Sequence, residues 1–291
     1  MEVIQLLLGG LANGCIYGLV ALGFVLIYKA SEMVNFAQGD MMMLGAMLAL
    51  TFVNHDYLGW PFVPGVLAAM AVMGVLSFAL DKFVLRHIFG QPHFAVVILT
   101  IAIGFVIRFI AGVIWGHEPL SLENPFAGKS LHFGGLVMGM EDAAAILMTI
   151  VLTGGLYLFF SRTRLGVSMQ ASSQNQIAAY YMGIPVKLVY SVVWALAGIL
   201  ATVAGVMFAS KGTIDPSTGL LGIKAFAAAV IGGFGSLPGA LAGGLIVGIV
   251  EPFAGRYLLA GYSQIAPYAI MLVVLIVAPN GLFAQMIKKK V

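Results

Sequence analysis

The chain has 291 residues, of which 61% are hydrophobic and 9% are charged, and its mean hydropathy is +1.05. That composition lies far outside the range of soluble globular proteins and indicates an integral membrane protein. The net charge of +3 arises from short basic clusters beside apolar runs, so it gives no support for nucleic acid as a partner. The single cysteine, Cys15, excludes an internal disulfide and a cysteine-rich metal site.

Apolar runs separated by short polar segments occupy most of the chain. Most approach the length of about 20 residues that a bilayer span needs, and none alternates as barrel strands do, so they predict membrane helices. The runs cover residues 3–28, 33–53, 61–80, 94–115, 140–160, 188–209, 219–234, 238–257 and 265–283. We therefore expect an all-α fold, a polytopic helical bundle of eight or nine spans that forms a single transmembrane domain over residues 1–291.

The basic residues predict which connections face the cytoplasm, since cytoplasmic loops carry an excess of Lys and Arg. Basic connections lie at 81–93, at 161–187 and in the tail at 288–290. The connection at 116–142 leans acidic and is expected outside.

The predicted membrane sides of these connections limit the number of times that the chain can cross the membrane. Residues 219–283 must cross an odd number of times, and three crossings fit the runs found there. At the start of the chain two alternatives stay open. Either the N-terminus is outside and 33–53 crosses, which gives nine spans, or it is inside and 33–53 enters and returns, which gives eight.

The run at 33–53 is interrupted near its start by Asn35, Gln38, Gly39 and Asp40. An unpaired carboxylate at the bilayer centre costs about 2.5–3.5 kcal/mol on insertion scales, so Asp40 should lie near an interface or face water inside the bundle. One interpretation is a broken or re-entrant helix near 33–45 that lines a translocation pathway. The other is an interfacial helix start, with Asn35 as the cap and Asp40 in the first turn.

A second interruption lies near 224–240, where the Gly and Pro content argues against a uniform helix and favours a broken helix or a tight turn. Small residues also recur at helical spacing, and such faces let helix backbones approach closely in lipid. Either packing within the chain or a subunit interface accounts for them. The predicted helix-packing residues are Gly10, Gly14, Gly18, Gly232, Gly233, Gly235, Gly239 and Gly243.

Charged residues inside apolar runs are further candidates for the pathway, because the bilayer makes them costly unless they are paired or wetted. Arg108 and Glu251 both lie well inside their runs, and we expect them to form an ion pair with each other or to contact substrate. Lys224 joins them as a candidate pathway residue. Asp215 is expected to cap a helix on the outer side. No pair of histidines has the spacing of metal ligands, so no metal site is expected.

Catalytic motifs are absent from the sequence. There is no phosphate-binding G-x-x-x-x-G-K-[ST] loop, no nucleophile elbow and no H-E-x-x-H zinc motif. The chain is therefore not expected to be an enzyme or to need a cofactor. If ATP drives it, a partner must hydrolyse the ATP.

Four stretches resemble the permease subunits of branched-chain amino acid ABC importers. They are NFAQGD at 35–40, TRLG at 163–166, IAAYYMGI at 177–184 and KAFAAAVIGGFGSLPGALAGGLIVGI at 224–249. The resemblance covers nearly the whole chain and implies an inner-membrane permease. It also implies that the chain lies in a lipid bilayer. The partner proteins it implies are a second related permease subunit, two ABC ATPase subunits and a periplasmic substrate-binding protein.

The same resemblance bears on the substrate. Such permeases often read N-F-A-H-G-E where this chain has Gln38 and Asp40, and both changes keep hydrogen-bonding character. The family is similar to transporters of amides, urea and aromatic acids as well. The substrates implied are branched-chain amino acids or related small amino acids, amides or carboxylates.

In ABC importers a cytoplasmic loop carries an E-A-A-x-x-x-G element whose short helix docks on the ATPase. The resemblance places this element in the loop 161–187, where Ile177 replaces the Glu, so we expect an apolar rather than an ionic contact. We expect Ala179→Asp or Gly183→Asp to weaken ATPase association; an ordinary connector is the alternative. The predicted coupling residues are Arg162, Arg164, Gly166, Ala171, Ile177, Ala178, Ala179, Gly183 and Ile184.

A different class of function stays open beside the importer. In a self-contained secondary transporter or channel, Asp40, Arg108 and Glu251 would serve as ion or proton relay groups. A membrane scaffold without transport is a third possibility, which the polar groups within the spans disfavour.

Overall fold

The computed structural model describes residues 2–88, 91–133, 136–259 and 261–283. Within these ranges the helices are α1 Glu2–Ser31, α2 Gln38–Val53, α3 Phe62–Phe83, α4 His93–Trp115, α5 Met140–Arg162, α6 Arg164–Gln174, α7 Gln176–Tyr181, α8 Val186–Lys211, α9 Leu221–Gly232, α10 Leu237–Tyr257 and α11 Tyr262–Val277. Strand β1 Leu120–Ser121 pairs with β4 Thr213–Ile214, and β2 Ser130–Phe133 pairs with β3 Leu136–Gly139. Two 3₁₀ turns lie at Leu85–Ile88 and Pro216–Leu220. The basic tail at 288–290 lies outside the described residues.

Each of the nine apolar runs corresponds to a helix. In the described ranges, six helices are long and apolar enough to cross a membrane: α1, α3, α4, α5, α8 and α10. Three apolar helical segments are shorter, namely α2, α11 and the continuous stretch Pro216–Gly232. The predicted all-α polytopic bundle is confirmed.

Helix α1 runs from one end of the bundle to the other. Near its start, the Gln5 side chain donates a hydrogen bond to the carbonyl of Val137, in the connection 116–142 that was expected outside (3.2 Å). Near its end, the Tyr28 ring contacts Phe234 in the turn between α9 and α10, with ring centroids 4.8 Å apart. We call these two ends of the bundle the outer end and the inner end.

The segment after α1 then returns to the outer end. The chain is extended or in turns from 33 to 37, α2 follows, and the Asn54 side chain just beyond α2 donates to the carbonyl of Ser121 in the outer connection (2.9 Å). The segment 33–53 therefore crosses. Within the described residues the chain passes nine times between the two ends, and α1 begins at the outer end.

At the outer end of α8, the chain turns back into the bundle through β4, the 3₁₀ turn Pro216–Leu220 and α9. Strand β4 follows α8, and Asp215 then starts the 3₁₀ turn that continues into α9. The Asp215 carboxylate accepts hydrogen bonds from the backbone N–H groups of Ser217 (2.6 Å) and Thr218 (3.0 Å), which confirms the predicted cap. At the far end of α9, the carbonyls of Ile231 and Gly232 accept hydrogen bonds from the segment that follows α11.

Helices α1, α2 and α8 form the buried centre of the bundle, and α3, α4, α5 and α11 surround it. The helices that surround the centre expose large apolar side chains, including Phe109, Ile150 and Ile276. In a membrane these side chains contact lipid or another subunit, so their exposure in the isolated chain is expected.

Glycines allow α1 and α10 to pack with their backbones in contact. A Cβ at Gly14 would lie 2.8 Å from the Cα of Leu245 and 2.9 Å from the carbonyl oxygen of Gly244. The predicted packing residues Gly10, Gly14, Gly18, Gly232, Gly239 and Gly243 all lie against neighbouring helices of the same chain. Gly235 differs, because a Cβ there would meet nothing within 4 Å, so its predicted packing role is wrong. Gly233 supplies the positive φ of +94° that ends α9.

Replacing Gly14 with Ala is expected to destabilise the bundle, because the added methyl overlaps the α10 backbone. Overpacking of this kind costs about 1–3 kcal/mol. Thermal unfolding in detergent should show a lower midpoint for Gly14→Ala. The control is Gly9→Ala in the same helix, where a Cβ meets nothing within 4 Å and alanine favours helix. Equal midpoints for the two variants would contradict the close approach of α1 and α10.

Candidate functional site

The polar segment 161–187 folds into two short helices at the inner end. Thr163 caps α6 by accepting a hydrogen bond from the backbone N–H of Gly166 (2.9 Å). A Cβ at Gly166 would overlap the carbonyl oxygen of Phe159, so glycine is required for α6 to fold back tightly on the end of α5. The TRLG stretch therefore builds a corner that fixes the direction of α6.

Helix α7 is capped at both ends. The Asn175 side chain accepts from the N–H of Ala178 (2.9 Å) at its start. At its end the N–H of Gly183 donates to the carbonyl of Tyr180 and the N–H of Ile184 donates to that of Ala179, both at 3.0 Å. Gly183 has φ +79°, and this pair of bonds is the Schellman arrangement that glycine permits. Helix α7, which is six residues long, is thus capped at both ends.

The outward side of α7 is apolar. Its largest exposed side chains are Ile177 (69%), Tyr180 (71%), Tyr181 (81%) and Met182 (82%), which we call the α7 surface. No charged residue occurs from 165 to 186. Such an exposed apolar cluster is typical of a protein-binding surface rather than of a solvated loop.

The coupling residues predicted from the sequence separate into three groups. Ile177 and Ala178 are exposed on α7, as are Arg162 and Arg164 at the preceding corner. Gly166 and Gly183 shape the backbone, and Ala171 and Ile184 are partly buried. Ala179 is 4% exposed and packs inward, so Ala179→Asp would bury a carboxylate and disturb the segment itself. Weaker ATPase association in Ala179→Asp would therefore not by itself show docking at this residue.

Sequence reasoning missed Tyr180, Tyr181 and Met182. The signal was present in the stretch IAAYYMGI, since three large side chains precede a helix-ending glycine.

A second group of polar residues lies where α2 begins. Asn35 accepts from the N–H of Ala37 (3.0 Å) and donates to the side chain of Gln38 (3.2 Å), which in turn donates to the carbonyl of Ala197 in α8 (3.1 Å). Asn35 and Gln38 are fully buried. These bonds satisfy side-chain polar groups in the non-helical stretch before α2 and just inside it.

Asp40 and Arg108 form an ion pair beside this stretch. Arg108 donates from Nε (3.1 Å) and Nη2 (2.8 Å) to Oδ1 of Asp40, and its guanidinium lies 5.5 Å from the centre of the Phe105 ring. The Asp40 carboxylate fits between Gly104 and Gly219, where a Cβ on either glycine would overlap it. Asp40 also occupies the first turn of α2, where a carboxylate suits the helix dipole.

Helix α2 therefore starts inside the bundle and not at its surface. The Gln38 side chain packs on Gly23, about 12 Å from the inner end of α1 at Ser31. Gly39 and the α9 residue Gly222 approach so closely that a Cβ on either would overlap the other. From this contact α2 runs outward and α9 runs inward. The broken helix is confirmed, whereas the interfacial start capped by Asn35 is wrong, since Ala37 is the cap residue.

A third polar group joins α1, α9 and α10. Lys224 lies 2.5 Å from Oε1 of Glu251, and the Tyr17 hydroxyl donates to Oε2 (2.8 Å). The predicted pair of Arg108 with Glu251 is therefore wrong, because each has another partner. The two cations are partly exposed, by 24% for the Arg108 side chain and 17% for that of Lys224.

The described residues hold no group of three His, Cys, Asp or Glu side chains that could bind a metal ion. What the site offers is an exposed apolar surface at the inner end and, in mid-bundle, two neutralised cations beside the start of α9.

The sequence profile of the family described as "Branched-chain amino acid transport system / permease component" matches residues 6–277. The chain belongs to this family. It is 28% identical over 296 residues to the high-affinity branched-chain amino acid transport system permease protein LivH of Escherichia coli, an alignment that covers 97% of this chain and 96% of the relative. The corresponding protein BraD of Pseudomonas aeruginosa matches with the same identity and coverage.

A more distant organism gives a similar match. The probable branched-chain amino acid transport permease protein LivH of Methanocaldococcus jannaschii is 32% identical over 286 residues, covering 91% of this chain and 87% of the relative. Among solved structures, a chain of "PsaBC from Streptococcus pneumoniae in complex with Fab" aligns with a TM-score of 0.50 at 15% identity, over 96% of this chain and 93% of that chain. That likeness shows a shared fold.

The chain is thus a membrane-spanning permease subunit of an ATP-driven importer and not an enzyme. Its place is the cytoplasmic membrane. ATP is hydrolysed by a separate subunit of the transporter, and a binding protein supplies substrate. The family assignment favours this importer over the self-contained transporter and over the scaffold.

The outer end of the permease carries an open depression of about 390 Å³, lined in part by His55, Trp60, Phe62 and Glu123. Nδ1 of His55 lies 2.6 Å from Oε2 of Glu123. The hydrogen bond and the charge of Glu123 raise the pKa of His55, and the hydrogen bond of His55 lowers the pKa of Glu123. The stability that the folded state gains from protonated His55 is fully present below the ordinary His pKa of 6.5. The stability that it gains from ionised Glu123 is fully present above the ordinary Glu pKa of 4.5. The pair is therefore fully formed between these values and weakens on either side.

Replacing Glu123 with Gln is expected to lower the pKa of His55 toward 6.5, because both effects of the carboxylate are removed. An NMR titration of the His55 ring in detergent micelles measures this directly. Glu118→Gln, in the same outer connection, serves as the control and should leave the titration unchanged. A His55 pKa that is the same with Gln at 123 would show that the pair does not form.

Proposed function

We propose that the permease is one of two related subunits of an importer for branched-chain amino acids or similar small zwitterions, and that the segment 161–187 of its single transmembrane domain is where an ATPase docks. Two ATPase subunits and a periplasmic binding protein complete the proposed complex. The exposed, apolar α7 surface at the inner end is the observation that carries this proposal. The names of the relatives support the substrate class.

The α7 surface has the composition of an interface centre. Two tyrosines with ring centroids 6.1 Å apart lie beside Ile177 and Met182, and aromatic residues and methionine are enriched at interface cores. Because Ile177 stands where the resembling element has Glu, the proposed contact is a knob of apolar side chains seated in a groove of the ATPase. The caps at Asn175 and Gly183 reduce the conformational entropy that docking would cost.

The proposed pathway runs along the face of the permease that carries the start of α9. Leu220 (49% exposed) and Ile223 (50% exposed) lie there between the two ion pairs, with Arg108 on one side and Lys224 on the other. We place the second permease opposite this face. A pathway with apolar walls and neutralised cations suits a zwitterion that carries an apolar side chain, and it leaves most of the selection to the binding protein.

Among the residues predicted to line the pathway, Arg108 and Lys224 face it in this proposal, each neutralised by Asp40 or Glu251. The buried residues Asn35, Gln38 and Gly39 have another role, which is to hold the break in the helix beside the pathway. ATP binding would close the ATPases and displace α7. Helix α8, which follows the docking segment and contacts Gln38 through Ala197, would pass this displacement to the break.

Tyr181→Asp and Ile177→Asp are expected to weaken binding of the ATPase about 30-fold or more, because a carboxylate would be desolvated at the centre of the interface. The affinity of the purified permease for its ATPase in detergent measures this. Gln174→Asp, exposed at the end of α6, is the control and should bind normally. Normal affinity in both α7 variants would reject docking at this surface.

Cysteines placed at Leu220 and Ile223 are expected to react with a water-soluble, membrane-impermeant thiol reagent in the assembled transporter. Their reaction should slow when leucine and its binding protein are present, because substrate would occupy the pathway. Ile150→Cys on α5 is the control, since its side chain is more exposed in the single chain (64%) but faces lipid in this proposal. The natural Cys15 is buried and gives little background. Equal reactivity at 150 and 223, without protection by substrate, would contradict the pathway.

A further inference from the structure

Three polar side chains meet at the inner end of α3 and take no part in docking or in the pathway. They are Asp81, Arg86 and Ser191, which we call the Asp81 cluster. Asp81 and Ser191 are fully buried, and the Arg86 side chain is 29% exposed. Nη2 of Arg86 donates to Oγ of Ser191 (2.9 Å), and Oγ of Ser191 donates to Oδ2 of Asp81 (2.6 Å). The cluster joins the corner after α3 to the first turns of α8.

The cluster also holds the backbone at the C-terminal end of the segment 161–187. Nη2 of Arg86 lies 3.2 Å from the carbonyl oxygen of Lys187, which is the last residue of that segment and belongs to the first turn of α8. Arg86 is thus a charged anchor for the stretch that connects α7 to α8.

Beyond the cluster, α3 and α8 pack closely through glycines. A Cβ at Gly198 would overlap the Ser77 side chain, and a Cβ at Gly74 would lie 3.3 Å from the side chain of Ile199. Next to Gly198 in the chain, the carbonyl of Ala197 accepts the hydrogen bond from Gln38. Packed contacts are therefore continuous from the docking segment through the Asp81 cluster to the helix break.

The hydrogen bonds of the cluster are incomplete in this conformation. Oδ1 of Asp81 is buried and has no hydrogen-bond partner among the described residues. Nη2 of Arg86 lies 3.8 Å from Oδ2 of Asp81, which is beyond hydrogen-bond distance. A movement of less than about 1 Å between the α3 corner and α8 would bring the guanidinium into direct contact with the carboxylate. The structure shows the arrangement bridged by Ser191, and a direct hydrogen-bonded ion pair is within reach of the same side chains.

We propose that the Asp81 cluster is the joint that transmits movement of the docking segment to α3 and α8. It rests on the proposed function, because it requires an ATPase to move α7. In one state Arg86 holds the start of α8 through Lys187 and Ser191, and in the other it binds Asp81 directly. The three side chains are positioning residues that touch neither substrate nor ATP. A two-state element of this kind would couple movement of the docking segment to movement of α3 and α8.

The test measures transport and ATP hydrolysis together in proteoliposomes that contain the full transporter, with leucine and the binding protein as the probe. For Arg86→Gln and Asp81→Asn we expect the amount of leucine carried per ATP hydrolysed to fall about five-fold or more, while the permease still binds its ATPase. Arg86→Lys should restore part of the ratio, since it keeps the charge. Lys82→Gln is the matched control, because Lys82 is an exposed cation on the same helix end and lies outside the cluster.

If Arg86→Gln does not fold, Ser191→Ala decides the question, because it removes a single oxygen and should lower the same ratio. A wild-type ratio in Ser191→Ala, or in Arg86→Gln with the complex intact, would overturn the joint. Failure of the proposed function gives a different result, since the α7 variants would then bind the ATPase normally. The two proposals can thus fail separately.

Discussion

The ion pair between Asp40 and Arg108 determines how the middle of this bundle is built. A lone carboxylate there would cost several kcal/mol, and the pair is tolerated because Arg108 donates twice and the glycines at 104 and 219 leave room for the carboxylate. Once Asp40 is fixed in this position, α2 can start only beside it. The stretch before α2 must then satisfy its polar groups without a helix, which Asn35 and Gln38 accomplish.

The position of this break links the two ends of the permease. Gln38 bonds to α8, α8 follows the docking segment directly, and α3 is packed on α8 through the Asp81 cluster. Close packing makes such a set of helices move as units with few arrangements and not deform smoothly. In the proposed complex, an ATPase bound to the short, capped helix α7 would therefore act on a site in mid-bundle without contacting it.

Much of this arrangement could be predicted from the sequence, and the rest depends on packing. The apolar runs predicted the crossing helices to within a few residues, and the basic loops agreed with the ends of the bundle, because both depend on local composition. The partner of Arg108 could not be predicted, since it depends on which helices pack side by side. Asp81 was overlooked because an acid near Lys82 and Arg86 resembles an ordinary interface. The burial of Ala179 and the exposure of Tyr181 could not be predicted, because a helix as short as α7 has no repeat from which its buried side can be identified.

The central claim is that Asp40 and Arg108 stabilise each other within one subunit, and a double-mutant cycle on unfolding in detergent tests it most directly. Arg108→Gln should lower the free energy of unfolding by about 3–5 kcal/mol, because it leaves the buried Asp40 carboxylate without its partner. Asp40→Asn should cost less, because the Arg108 side chain that it leaves unpaired is partly exposed. The double variant should lose much less than the sum of the two single losses. Additive losses, or single variants within about 0.5 kcal/mol of the wild type, would show that the pair does not hold the break in place.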